Sequence, residues 1–176
     1  MPKNEEVSLS SLGIQMPYNM QAEQSVLGAA LMDETVLNRL ITDMEPEMFY
    51  SDQNRAVYET MRALYTESEA VDVITLVNAL ANGGTFASAD DAKVYITRIA
   101  ETVPAISNVD SYFKIVKEKY QARRLIDAAR ARGCQGVVLT CKDHLKPYYE
   151  KFGFVCQGVS ASTHGGATWN DMLLRF

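Results

Sequence analysis

The chain has 176 residues, enough for one well-packed core or for one domain with a small appendage. Hydrophobic residues make up 47% of it, and the mean hydropathy of -0.13 is typical of a soluble globular protein. No apolar run of about 18 residues occurs, and the first twenty residues lack the basic and apolar segments of a signal peptide. The sequence therefore predicts a cytoplasmic protein with no membrane partner.

The formal net charge of -5 is unevenly distributed along the chain. Residues 1–110 carry 6 Lys and Arg against 17 Asp and Glu, whereas residues 111–130 carry 6 against 2. Affinity for DNA comes largely from Lys and Arg that neutralise phosphates, so the acidic body predicts no strong direct binding to DNA. The basic segment is typical of a solvated helix face.

The three cysteines, Cys134, Cys141 and Cys156, lie in the last third of the chain and form no CxxC pair. With only His144 and His164 as additional ligands, they predict reduced, partly buried thiols rather than a metal centre. We expect neither a metal nor a cofactor.

Residues 1–17 are polar and aperiodic, which predicts a flexible arm. Residues 18–107 contain five short segments with apolar residues at helical spacing, which predict a compact bundle of amphipathic helices. The predicted helices are Gln21 to Met32, a short helix capped by Asp33 and broken at Pro46, Ser51 to Tyr65, Asp72 to the glycines at 83 and 84, and Ser88 to Pro104.

Residues 108–133 predict one long helix, because Asn108 is a suitable N-cap and no helix breaker follows before Gly133. Such a helix is about 36 Å long at 1.5 Å per residue. Its apolar positions are spread more widely than a coiled-coil seam, so the helix must pack against a partner. These positions are Tyr112, Ile115, Val116, Tyr120, Leu125 and Ile126.

Residues 134–176 predict a small α/β tail with the order strand, helix, strand, strand. The first two strands and the helix between them are expected to form a parallel crossover unit. The expected elements are strand 137–140, a helix capped by Asp143 that ends at Phe152, strand 154–160, a turn at 164–166 and strand 168–176. His164 is expected in an exposed turn, and Trp169 is expected to anchor the core of the tail.

Between about residues 17 and 130 the chain carries, in order, Pro17-Tyr18-Asn19, Ala22 to Gly28, Met48-Phe49-Tyr50, Asn54-Arg55, Asp72, Val77, Leu80, Tyr95, Pro104, Asn108 and Arg123 to Ile126. With this series of motifs the segment resembles the amino-terminal domain of DnaB-type bacterial replicative helicases. It implies a mainly α fold, in which a helical bundle is followed by a helical hairpin. The second arm of that hairpin is missing, because the sequence departs from the family pattern near Arg130.

The same resemblance implies a non-catalytic domain for oligomerisation and protein interaction, which builds the collar of a hexameric ring and docks primase. The expected partners are further copies of the chain, as a dimer or higher oligomer, and primase or other replisome proteins. No GxxxxGK[ST] loop for nucleotide phosphates occurs, so we expect no ATP hydrolysis by this chain alone. The residues expected at the interface are Tyr112, Ile115, Val116, Lys119, Tyr120, Arg123 and Arg124.

Residues 131–176 are similar to the carboxy-terminal segment of GNAT acyltransferases. The similarity rests on residues 132–134, Val137 to Leu139, Pro147 to Tyr149, Phe152-Gly153-Phe154 and Thr163 to Trp169. It implies an alternative function, a degenerate acyltransferase or acyl-CoA-binding remnant on a helical scaffold, with Tyr149 as its one candidate acid. The pyrophosphate-binding turn of that family needs glycines at a helix N-terminus, and the corresponding segment, residues 121–130, has none. We therefore expect no catalytic residue, and Tyr149 is expected to be a core tyrosine.

Overall fold

The computed structural model describes residues 16–81, 83–102 and 106–176, and it divides into two compact units. One unit is Tyr18–Gln121; the other contains Ala122–Phe176 together with Met16 and Pro17. The predicted arm at 1–17 and the predicted end of the fifth helix at Pro104 lie largely outside the described residues. The predicted domain boundaries at 17, 107 and 133 stay predictions.

The first unit is a bundle of five helices followed by most of a sixth. The helices are α1 (Met20–Met32), α2 (Glu34–Asp43), α3 (Asp52–Thr66), α4 (Val73–Leu80), α5 (Ala89–Glu101) and α6 (Val109–Ala131), with 3-10 turns at Pro46–Met48 and Ile106–Asn108. The expectation of a mainly helical fold with five short helices and one long helix is confirmed.

Four predicted caps begin these helices. The side chains of Asp33, Ser51, Asp72 and Ser88 accept hydrogen bonds from backbone N–H groups in the first turns of α2, α3, α4 and α5. Each bond satisfies a donor that has no partner inside its helix. At α4 the cap is a reciprocal capping box, because the hydroxyl of Thr75 in turn accepts a hydrogen bond from the N–H of Asp72 at 3.0 Å.

Helix α1 was predicted to be amphipathic, but it lies at the centre of the bundle and is buried on nearly all sides. Every residue from Ala22 to Ala30 except Gln24 is buried, including the carboxylate-bearing Glu23. The small residues Gly28, Ala29 and Ala30 have little side chain to expose, which permits packing on all sides of the helix. The bundle core around it includes Leu40, Phe49, Tyr58, Met61, Leu76, Ile96 and Ile99.

Helix α6 ends as predicted at a glycine. Gly133 adopts φ +73, a conformation that glycine takes without steric cost. Its N–H donates to the carbonyl of Arg130 at 2.8 Å, and the N–H of Cys134 donates to the carbonyl of Ala129 at 3.0 Å. This pair of bonds is a Schellman motif, which stops the helix and satisfies its last carbonyls.

The tail is a three-stranded antiparallel sheet with one short helix. Its elements are β1 (Gly136–Cys141), a 3-10 turn at Asp143–Leu145, α7 (Lys146–Glu150), β2 (Val155–Val159), a 3-10 turn at His164–Gly166 and β3 (Asn170–Arg175). The strand, helix, strand, strand order is confirmed. The sheet order is β1-β3-β2, so β1 and β2 run parallel as expected but are separated by β3.

The tail core lies on one face of this sheet. Met172 and Leu174 of β3 are fully buried there beside Ile126, Cys141, Phe152 and Phe154.

Two predictions about the tail are wrong. Trp169 is only half-buried, because its indole N–H donates to the carbonyl of His164 at 2.8 Å. Asp143 caps no helix, because its carboxylate instead binds Lys146 at 2.7 Å and accepts from Asn170 at 3.0 Å.

The three cysteines are free thiols; Cys141 is buried, Cys156 half-buried and Cys134 exposed. No helix within the described parts of the chain is both long and apolar enough to cross a membrane.

Candidate protein-interaction surface

A buried polar network ties α1 to the amino-terminal turn of α3 and to α5. The carboxylate of Glu23, only 1% exposed, accepts from the amide of Asn54 at 2.8 Å and from the N–H groups of Tyr50 at 3.0 Å and Ser51 at 3.4 Å. The hydroxyl of Tyr95 donates to the amide oxygen of Asn54 at 2.7 Å. Because a buried carboxylate is costly unless its oxygens are hydrogen-bonded, these contacts are required by the fold.

The same region holds two further polar contacts that fix the segment before α3. Arg55 donates to the carbonyl of Phe49 at 3.1 Å, and the hydroxyl of Tyr58 donates to the carbonyl of Met44 at 2.5 Å. The rings of Phe49 and Tyr58 stack with centroids 5.0 Å apart, and burial raises the pKa of Tyr58. Several motif residues of the helicase resemblance, among them Glu23, Asn54 and Tyr95, thus hold the fold together instead of forming an accessible site.

The predicted interface residues at the start of α6 contribute mostly to the bundle. Val116 is 1% exposed and belongs to the bundle core, so it adds no accessible area in this structure, and its predicted place in an interface stays a prediction. Tyr112 and Ile115 are half-buried against the same core. Phe113, which the sequence reasoning missed, is 1% exposed and lies beneath the guanidinium of Arg39. It directly follows Tyr112 and lies on the face of α6 that packs against the bundle, and this position in the sequence could have identified it as a core residue.

Arg123, the sixth predicted interface residue, is also buried. It is 8% exposed, and its guanidinium donates to the carbonyl of Pro17 at 2.9 Å. This bond uses the guanidinium within the chain, and the predicted interface role of Arg123 stays a prediction. Arg124 is exposed, whereas Lys119 and Tyr120 are half-buried, and burial lowers the pKa of Lys119.

Ion pairs hold the start of α6 to α2. Lys117 lies 3.3 Å from the carboxylate of Asp43, and Asp110 pairs with Arg39. Lys114 lies 3.8 Å from Glu118 on α6 itself. The pairs of Lys114 and Lys117 neutralise part of the positive charge that the sequence concentrates in residues 111–130.

A groove of about 600 Å³ on the bundle is an accessible surface that the sequence reasoning did not identify. It is formed where α1 ends, α2 begins and α3 ends. Its lining includes the exposed side chains of Met32 and Tyr65 and the acidic residues Asp33, Glu34 and Glu69. A largely polar groove whose charged residues are all acidic suits a basic partner.

The groove is bounded on one side by a residue in a strained conformation. Ser68 adopts φ 58, and it is the one non-glycine residue with positive φ among those described. Its N–H donates to the carbonyl of Tyr65 at 3.1 Å, and the N–H of Glu69 donates to the carbonyl of Leu64 at 2.9 Å. These are the two bonds of a Schellman motif, with serine where glycine is preferred.

The tail offers little support for acyl transfer. Tyr149 is half-buried, its ring packs edge-on against Tyr148 and Phe154, and burial raises its pKa. Residues 121–130 lie wholly inside α6, where backbone N–H groups are used by the helix and cannot cradle a pyrophosphate. His164 is exposed in its turn, as predicted. Among the described residues, no three His, Cys, Asp or Glu side chains converge as a metal site.

Comparison with known proteins shows where the chain belongs. Residues 15–118 match the model of the DnaB-like helicase N terminal domain. The chain is 36% identical over 113 residues to the replicative DNA helicase DnaC of Bacillus subtilis, covering 64% of this chain and 25% of that protein. It is 30% identical over 161 residues to the replicative DNA helicase DnaB of Geobacillus stearothermophilus, covering 90% and 35%. An alignment of that length extends into the tail.

The fold is similar to the crystal structure of the N-terminal domain of DnaB helicase from Mycobacterium tuberculosis. The TM-score is 0.61 at 32% identity, over 66% of this chain and 83% of that one. The chain spans only a quarter to about a third of the length of the two helicases compared above. Since the family model covers more than half of its residues, the chain belongs to the family of DnaB-like helicase N-terminal domains.

Proposed function

We propose that this chain is a non-catalytic oligomerisation and interaction domain of a replicative DNA helicase. It contributes to the collar of the ring and docks primase or another replisome protein. The match of residues 15–118 to the helicase N-terminal domain carries this proposal. It is supported by the burial of motif residues such as Glu23 and Asn54, which are used to hold a rigid bundle.

Two surfaces of the bundle and α6 fit such a role. On α6, the half-buried Tyr112, Ile115 and Tyr120 provide apolar contact area, and Lys119 and Arg124 add positive charge. These five residues are the proposed contact with a second copy of the chain. The acidic groove beside Met32 and Tyr65 is the proposed dock for a basic helix of primase or another replisome protein.

The acidic groove and the paired lysines at the start of α6 do not favour DNA. The groove is acidic, and Lys117 and Lys114 of α6 are paired with carboxylates. Because phosphate binding depends on unpaired cations, we propose that the chain makes no strong direct contact with DNA. The chain alone neither hydrolyses ATP nor unwinds DNA, and it acts in the cytoplasm where replication takes place.

The test measures mass in solution by light scattering, and the thermal shift produced by the cognate primase. We expect an oligomer, stabilisation by primase and no shift with millimolar acetyl-CoA. Lys119→Glu should lower the mass, whereas Lys114→Glu, on an exposed position of the same helix, should not. The proposal is contradicted if the chain is strictly monomeric and primase does not change its melting temperature. It is also contradicted if the chain, purified to homogeneity, hydrolyses ATP.

A further inference from the structure

The outer edge of β1 is an unprotected sheet edge. The sheet order is β1-β3-β2, and within the described residues no strand pairs with the other side of β1. Its six residues, GVVLTC, include no proline and no charge, and its pairing with β3 has no bulge. The opposite edge differs, because β2 is interrupted by a bulge between Cys156 and Gly158. Bulges, prolines and charges are the usual means of blocking a sheet edge, and β1 has none of them.

An apolar row crosses the outer face of the sheet and ends at this edge. Val138 of β1 and Val155 of β2 both pair with Leu173 of β3, so the three side chains lie side by side. Val138 is 65% exposed and Val155 is 61% exposed. The row therefore ends with an exposed β-branched side chain next to unpaired backbone groups.

We propose that β1 pairs antiparallel with β1 of a second copy of this chain, about a two-fold axis beside Val138. In such a pair, facing residues lie on the same side of the sheet, so Val138 faces Val138 of the partner subunit. The apolar row then runs unbroken across six strands. This surface is separate from the bundle and α6 surfaces of the proposed function.

The remaining pairs of this register are compatible with a second copy. Val137 faces Leu139 of the partner subunit on the core side, and Gly136 faces Thr140 of the partner subunit on the outer side. Lys142, the first charged residue after the strand, faces Cys134 of the partner subunit, so no like charges meet. Helix α7 packs against β2 and β3, away from this edge. Cys141 faces Gln135 of the partner subunit, and the pairs in which both residues belong to the strand are apolar or small, which suits pairing with a second copy.

Cysteine cross-linking in the full chain tests the register. Directly opposed residues of an antiparallel pair have Cα atoms roughly 4.5–5.5 Å apart, within the range of a disulfide. With the exposed Cys134 replaced by serine, Val138→Cys should give a covalent dimer on mild oxidation. The matched control is Val155→Cys, which is equally exposed on the same row but at the bulged edge, and it should stay monomeric on denaturing gels. Equal cross-linking of both variants, or of neither, overturns the proposal.

Charge substitution tests the contribution of the edge to association. Val138→Lys opposes two ammonium groups across the axis and should weaken dimerisation of the full chain at least roughly tenfold, measured by sedimentation. Val155→Lys should leave it unchanged, and far-UV circular dichroism checks that both variants are folded. An oligomeric wild type that fails to cross-link at position 138 refutes the strand pairing but leaves the proposed function standing. A chain that cross-links at position 138, keeps its mass in Lys119→Glu and is not shifted by primase supports the strand pairing and contradicts the proposed function.

Discussion

Replacing Asn54 by alanine should remove several kilocalories per mole of the bundle's stability. The substitution deletes the amide that donates to the buried carboxylate of Glu23 at 2.8 Å, and a hydrogen bond to a charged group contributes about 1.5–3 kcal/mol. It also leaves the hydroxyl of Tyr95 without its acceptor, which costs roughly 1–3 kcal/mol more. The expected loss is the sum of the two, about 2.5–6 kcal/mol, a large part of the roughly 5–15 kcal/mol typical of a folded domain.

The assay is urea unfolding followed by the helical circular dichroism signal. The conservative partner variant Tyr95→Phe should cost roughly 1–3 kcal/mol, because it leaves the amide oxygen of Asn54 without its donor and the amide of Gln24 without its acceptor. The double variant should then be less destabilised than the sum of the two by at least roughly 1 kcal/mol, since no hydroxyl is left to be orphaned. Asn78→Ala, at an exposed position of α4, is the control and should change stability by less than about 0.5 kcal/mol. Additive effects at Asn54 and Tyr95 would refute the reasoning.

Three further predictions follow from single residues. Ser68→Gly should stabilise the bundle by roughly 0.5–1 kcal/mol in urea unfolding, because relieving the backbone strain at φ 58 outweighs the greater entropy that glycine gives the unfolded chain. Ser68→Ala keeps the strain and should give no gain in stability. Gly136→Ala should destabilise the tail, seen as faster amide exchange in β3, because its Cβ would lie 2.3 Å from the carbonyl oxygen of Leu174; Gly83→Ala, with only an ordinary 3.5 Å contact, is the tolerated control. The hydrogen bond and charge of Lys146 hold the pKa of Asp143 below its ordinary value of 3.8. The stabilisation from this pair is therefore present above about pH 4 and is lost as the pH falls through the lowered pKa. Lys146→Met should return the pKa of Asp143, measured by carbon NMR, toward the ordinary value.

Local sequence signals predicted the helices of the bundle well. Ser51 and Asp72 mark their helices because a cap depends only on residues within one turn, and such information is present in the sequence itself. The same reasoning failed at Asp143, where a cap-like residue has a stronger alternative in Lys146 and Asn170. Asn170 lies 27 residues away along the chain, so no local pattern could have indicated the competition.

The interface residues were harder to predict than the fold. Val116 and Arg123 were assigned to an accessible surface because an amphipathic helix shows which positions are apolar but not which neighbour covers them. The core side chains of the bundle cover Val116, and the carbonyl of Pro17, 106 residues earlier, receives Arg123. The acidic groove was missed for the same reason, since Met32, Tyr65 and Glu69 come together only when three helices have assembled.

The network around Glu23 also has a consequence for the order in which the bundle forms. Its carboxylate lies in the first helix, yet its partner amide is 31 residues later, and the hydroxyl that orients that amide is 41 residues beyond it. During synthesis, the carboxylate of Glu23 therefore cannot be buried at low cost until α3 has emerged, and the amide of Asn54 gains its bond from Tyr95 only when α5 has followed. Once the bundle is assembled, detaching any one of α1, α3 and α5 leaves polar groups of this network without hydrogen-bond partners, which destabilises the remaining two helices. Their slowest-exchanging amides should consequently share one opening free energy, so that the three helices unfold as a single cooperative unit.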